Sequence, residues 1–145
     1  MSKTEKIARE LVTRLGTSEP DVICEKMGII TLEHELPDRV NGFTVKINGI
    51  SFIVLNRSLD HYRKRFTKAH ELGHIIMHSG MNSLELSLNT GFCVSKYERE
   101  ADSFAAWLLM LAETNELEGL ESFTAEDVSR IAHIPLSAAD SAFMQ

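Results

Sequence analysis

His70-Glu71-Leu72-Gly73-His74 spells H-E-x-x-H, two imidazoles four residues apart with a carboxylate beside the first. On a helix of 3.6 residues per turn, residues four apart differ by about 40°. His70 and His74 therefore project from one face, one turn apart, where they can share a metal ion. Glu71 stands about 100° round from His70, at the edge of that face. It can reach a metal-bound water without joining the ligands. Zinc, one ion per chain, is the natural occupant, because imidazole suits it and a catalytic site keeps a fourth position for water. Such an ion draws the pKa of its water toward about 7. Glu71 would then act as general base and relay the proton to a leaving amine.

Two histidines need a third ligand, and a second helix offers one. Glu98 and Asp102 are again four apart on one face. Glu98 as ligand completes a two-histidine, one-carboxylate set. Asp102 then receives the other ring N–H of a ligand histidine, the usual arrangement around metal-bound imidazole. Glu100 is the rival ligand, but it lies about 200° from Glu98 and faces away if Glu98 faces the metal. His78 extends the His70–His74 face by one more turn. It is read as a pocket-wall or substrate-side residue, or simply a polar residue near the helix C-terminus favoured by the dipole, since one helix face seldom wraps three ligands around a tetrahedral ion. Tyr97, Tyr62 and His78 are the candidates for stabilising charge on the scissile carbonyl oxygen.

The elements that must position these residues are legible in outline. Ile7, Leu11 and Leu15 form one stripe of a helix over 3–15, closed by Gly16. Ser18 reads as an N-cap for a short helix at 22–27, with Pro20 near its first turn and Gly28 as its stop. Residues 29–35 read as a strand with Ile30 and Leu32 on one face, broken by Pro37-Asp38. Phe43, Val45 and Ile47 alternate with Thr44 and Lys46. Asn48-Gly49 marks a two-residue hairpin turn, and Ile50, Phe52 and Val54 continue the alternation on the return strand. After Asn56 the apolar period becomes helical over 60–78, with Phe66, Ala69, Leu72, Gly73 and Ile76, and Ser79-Gly80 as its end. Residues 80–94 read as loop. A second long helix fits 95–111, with Ala101, Phe104, Ala105, Leu108 and Leu111 as its core stripe. Thr124, followed by Asp127, caps a helix at 125–132, and Pro135 separates it from another at 136–143.

The 145 residues make one domain, 1–145, of ordinary globular composition, with 43% hydrophobic and 25% charged residues. No apolar run approaches a membrane span, and the N-terminus opens on an amphipathic pattern instead of a secretory leader. The net charge of -6 argues against a broad nucleic-acid-binding face, including one on the short C-terminal helices. Cys24 and Cys93 belong to no C-x-x-C pair and read as buried or partly buried thiols of a reducing cytoplasm. His34, His61 and His133 stand alone as structural or exposed residues, and Arg63-Lys64-Arg65 reads as a solvated helix face.

Two blocks carry a resemblance. Residues Arg65 to His74, reading RFTKAHELGH, and Glu98 to Met110, reading EREADSFAAWLLM, resemble the two motif regions of the ImmA/IrrE family of metallopeptidases. Asn56, closing the hairpin just before the motif helix, also fits. The similarity covers about residues 40–111 and is looser in the flanking helices. It implies an α+β, zincin-like fold: a small antiparallel-containing sheet beside an active-site helix, a second ligand-bearing helix and short C-terminal helices. It implies a cytoplasmic bacterial or phage protein that cleaves or antagonises a helix-turn-helix repressor, relieving repression of a mobile element, prophage or stress regulon. Glu98 and Asp102 match the E-x-x-x-D arrangement of thermolysin-like enzymes. One departure is Leu111, where family members often have proline; it touches the helix end, not the ligands. The expected activity is zinc-dependent peptide hydrolysis. The alternative is a non-catalytic anti-repressor that sequesters its target.

Overall fold

The computed structural model describes residues 1–78, 92–114 and 122–143, with 92–95 described by their backbone alone. Helix α1 spans Lys3–Leu15. The Ser2 side chain caps it by accepting the Glu5 N–H, and Gly16, at φ 73°, ends it in the left-handed region. Helix α2 spans Pro20–Lys26, two residues earlier than the sequence suggested. Its N-cap is Glu19, not Ser18, because Pro20 occupies the first helical position and sets the boundary there. Strands β1 (Ile30–His34), β2 (Gly42–Ile47) and β3 (Ile50–Asn56) form one sheet in the order β1-β3-β2. β1 runs parallel to β3 and β2 antiparallel to it. Asn48 and Gly49, with φ 51° and 80°, make the hairpin turn that their types favour.

Helix α3 spans His61–Met77 and is capped by the Asp60 carboxylate on Arg63 N. Helix α4 spans Phe92–Glu113, longer at both ends than expected. Helices α5 (Ala125–Ala132) and α6 (Leu136–Phe143) follow, with Thr124 and Asp127 forming a reciprocal capping box. The stop expected at Ser79-Gly80, and the loop expected from residue 80 as far as 91, lie outside the described residues. Among the described residues no helix is long and apolar enough to cross a membrane.

Helix α4 is the centre of the fold. From Ala101 to Leu111 every residue except Asp102 is buried, so the expected stripe of apolar residues is in fact a surrounded cylinder. Helix α1 packs on it through a Thr4–Ser103 hydrogen bond of 2.5 Å, and α3 lies along another side. Gly73 makes the second contact close. A Cβ there would stand 2.9 Å from the Phe104 ring and 3.4 Å from Ala101 Cα.

The sheet turns Thr44, Ile53 and Leu55 toward α3. The other set, including Ile30, Leu32, Phe43, Val45 and Ile47, faces outward, half-buried or exposed. Strand β3 is apolar at both parities, so alternation could not say which face α3 would cover. The Arg63-Lys64-Arg65 run is only partly a solvated face. Lys64 meets Glu33 of β1 at 2.7 Å, and Arg65 meets Glu19 and Glu113 at 3.4 and 3.2 Å. Lys68 pairs with Asp21 of α2. Pairs of this exposed kind contribute about 0–1 kcal/mol each, so they orient α3 more than they hold it.

Candidate metal centre

Helix α3 delivers His70 and His74, and α4 delivers Glu98 and Asp102 across the Gly73 contact. The Nε2 atoms of both histidines point at one carboxylate. His70 Nε2 lies 3.0 Å from Glu98 Oε2, and His74 Nε2 lies 2.9 Å from Glu98 Oε1. The two Nδ1 atoms are held elsewhere. His70 Nδ1 meets Asp102 Oδ1 at 2.7 Å, and His74 Nδ1 meets His78 Nδ1 at 2.9 Å. Each ring is thus fixed by its far nitrogen while the near nitrogen faces a shared point. One ligand atom from each of His70, His74 and Glu98 falls within 4.8 Å of the others, a group that could hold one metal ion. Two imidazole nitrogens and a carboxylate oxygen suit zinc, and three protein ligands leave a position for water.

The electrostatics follow from this crowding. Burial pulls the His70 pKa down, but hydrogen bonds to the Asp102 and Glu98 carboxylates outweigh it and raise it to about 10. Burial would raise Glu98, yet the two imidazoles hold it well below the usual carboxylate range. Without metal, His70 is therefore a cation clasped between two anions.

A cleft of ≈ 580 Å³ opens over the cluster. Its floor carries Phe66, Thr67, His70 and Glu71, its α4 side Glu98 and Asp102, and its far wall residues 39–42. Glu71 is buried at this floor, one residue from His70. The far wall went unseen in the sequence. It is folded by Asn56, whose buried Nδ2 donates to the carbonyls of Leu36, Pro37 and Val40 at 3.2, 3.3 and 3.0 Å. Asn56 Oδ1 accepts from Ser58 N and Oγ. In the sequence Asn56 marks the end of the hairpin; the fold makes it the staple of the cleft wall.

The structure gathers His70, His74, Glu98 and Asp102 at one point and Glu71 beside them. It does not bring the other candidates to the cleft. His78 is buried behind His74, with Tyr97 edge-on to its ring at 4.6 Å. Eight residues past His70, it has turned about 80° away from the cleft, so it is no pocket wall. Tyr62, eight residues before His70, turns away equally and stacks on His133 at 4.0 Å, half exposed. Glu100 does face away from the cluster, as the helix arithmetic required, but into the interior: its Oε1 lies 3.4 Å from His78 Nε2 and its Oε2 3.2 Å from Lys3 Nζ. Cys24 is buried, and burial pushes its thiol up to about 11.

Comparison with known proteins places these features in context. A family model described as Peptidase M78, IrrE N-terminal-like domain, matches residues 24–133. An "uncharacterized immunity region protein 2" of Bacillus phage phi105 is 28% identical over 131 residues, covering 90% of this chain and 83% of that protein. "Metallopeptidase ImmA" of Bacillus subtilis (strain 168) is 28% identical over 129 residues, covering 86% of this chain and 75% of that protein.

Proposed function

Because the chain belongs to the IrrE N-terminal-like family of metallopeptidases, we propose that it is a zinc-dependent endopeptidase acting on a helix-turn-helix repressor in the cytoplasm. The observation that carries the reading is the pair of imidazoles whose Nε2 atoms converge on one carboxylate while each Nδ1 is held by a separate partner. His70, His74 and Glu98 would hold the ion. Zinc there would supply Lewis acidity toward the attacking water and the scissile carbonyl.

Glu71 would take a proton from the attacking water and return it to the departing amine. Its burial at the cleft floor keeps the carboxylate close to the reacting atoms and away from bulk solvent. Asp102 holds the His70 ring through Nδ1.

Strand β2 supports an extended peptide as the substrate form, since among the described residues it is an edge of the sheet. Ile47 and Ile50 close the hairpin turn, and Asn56 N donates to Asn41 O at 2.8 Å. Residues 41, 43, 45 and 47 therefore bond to β3, and Gly42 and Lys46 direct their backbone groups to the other side of the strand. A peptide added as a further strand along this edge reaches the cleft at Gly42, which lines it together with His70 and Glu71.

The repressor target is supported by the relatives' names, one from a phage immunity region and one a metallopeptidase. The test incubates the zinc-loaded chain with the repressor encoded nearest its gene. Cleavage by the wild type, reduced about 10²–10⁴-fold in Glu71→Gln, is expected. Undiminished cleavage by that variant overturns the mechanism. Tight binding without any peptide product favours sequestration instead.

A further inference from the structure

We propose that His78 is a positioning residue for His74, the last link of a chain that runs from exposed Lys3 of helix α1, through buried Glu100, to the metal centre. The inference rests on the reading of His74 as a metal ligand through Nε2. A ligand imidazole that binds through Nε2 carries its proton on Nδ1. Among the described residues, the acceptor facing that proton is His78 Nδ1, 2.9 Å away. To accept there, a neutral His78 must carry its own proton on Nε2. That atom faces Glu100 Oε1 at 3.4 Å, and the other oxygen of Glu100 receives Lys3 Nζ at 3.2 Å.

Each link thus fixes the tautomer of the next. Lys3 holds the Glu100 carboxylate, the carboxylate selects the Nε2–H form of His78, and His78 selects the Nδ1–H form of His74. His74, His78 and Glu100 are all buried, so water cannot easily substitute for a missing partner. The two ligand histidines are therefore supported differently. His70 leans on a carboxylate of α4 that also lines the cleft. His74 leans on the imidazole that caps its own helix, held in turn by Glu100 of α4.

Partners of this kind change metal affinity by about 10–100-fold when removed. The experiment measures zinc dissociation constants of the full chain by competition with a chromophoric chelator, with circular dichroism of each metal-free variant as the fold control. His78→Phe keeps a flat aromatic ring, somewhat larger, and removes the acceptor; it should weaken zinc binding by about 10–100-fold. His78→Asn places its side-chain oxygen near the position of Nδ1 and should stay within about threefold of wild type, since it restores that acceptor.

A His78→Phe variant with wild-type affinity overturns the proposal. So does an Asn variant that loses as much as the Phe variant, since the acceptor would then be irrelevant. If His78→Phe does not fold, Glu100→Ala removes the next link. It should weaken zinc by about three- to tenfold, less than loss of a direct partner; unchanged affinity again overturns the proposal. Failure of the wild-type chain to bind zinc at all is a separate result: it removes the metallopeptidase reading and this inference with it.

Discussion

His70 has two occupations that exclude each other. Without metal it is a cation between Glu98 and Asp102; as a ligand it must give up the proton on Nε2. Zinc uptake near neutral pH should therefore release a proton from His70 and tighten as pH rises, which calorimetry in buffers of different ionisation enthalpy can measure. For the metal-free chain the sign is opposite. A folded-state pKa raised from 6.5 to about 10 contributes stability that is fully present below pH 6.5 and lost as pH climbs through about 10. The depressed Glu98 adds stability above its ordinary value of 4.5, lost as pH falls further. Thermal melts of the stripped protein should accordingly decline between pH 6.5 and 10; a flat profile there would contradict the ion-pair account of His70. At this scale the H-E-x-x-H residues and the Glu98–Asp102 pair were legible, because spacing four on a helix fixes a common face. His78 had the same spacing from His74, yet the residual rotation of 40° per four residues accumulates and carries it behind the cleft. Tyr62 fails for the same reason in the other direction.

Two glycines set how closely the elements approach the site. At Gly42 a Cβ would stand 2.7 Å from the Val54 carbonyl oxygen and 2.9 Å from Thr67 Cγ2. Backbone cannot yield there cheaply, so Gly42→Ala should lift the edge strand off α3. It is expected to cost about 1–3 kcal/mol in urea unfolding and to weaken any activity that uses the β2 edge. Gly73→Ala presents the opposite balance. Alanine is the better helix former by about 1 kcal/mol, but its methyl meets the fully buried Phe104 ring. Net destabilisation and looser zinc binding are expected; a variant that melts higher with unchanged zinc affinity would show that the α3–α4 approach does not depend on Gly73. The helices and hairpin were readable from periodicity and from Asn48-Gly49. The wall at 39–42 was not, because a side chain sixteen or more residues away, Asn56, folds it by bonds to backbone carbonyls.

Across the whole molecule, the surrounded helix α4 ties the N-terminal helix, the motif helix and the C-terminal pair into one core. The sheet contributes only one face to it. Ile53→Ala, in that core, should cost about 2–5 kcal/mol, whereas Ile47→Ala, 52% exposed on the outer face, should cost well under about 1 kcal/mol. The reverse order in chemical denaturation would mean the sheet is turned over. The change of apolar period after Asn56 marked where hairpin gives way to helix, and the family resemblance implied the α+β class, but the inward face of the sheet was not legible, because β3 is apolar on both sides. What the two helices bring together is one group, His70, His74 and Glu98, that could hold a single ion. The most direct measurement is the zinc content of the purified chain by atomic emission after dialysis against trace zinc. One zinc per chain is predicted for wild type and for Glu71→Gln, with loss in His70→Ala, His74→Ala and Glu98→Ala. Retention of stoichiometric zinc by all three alanine variants would contradict the site.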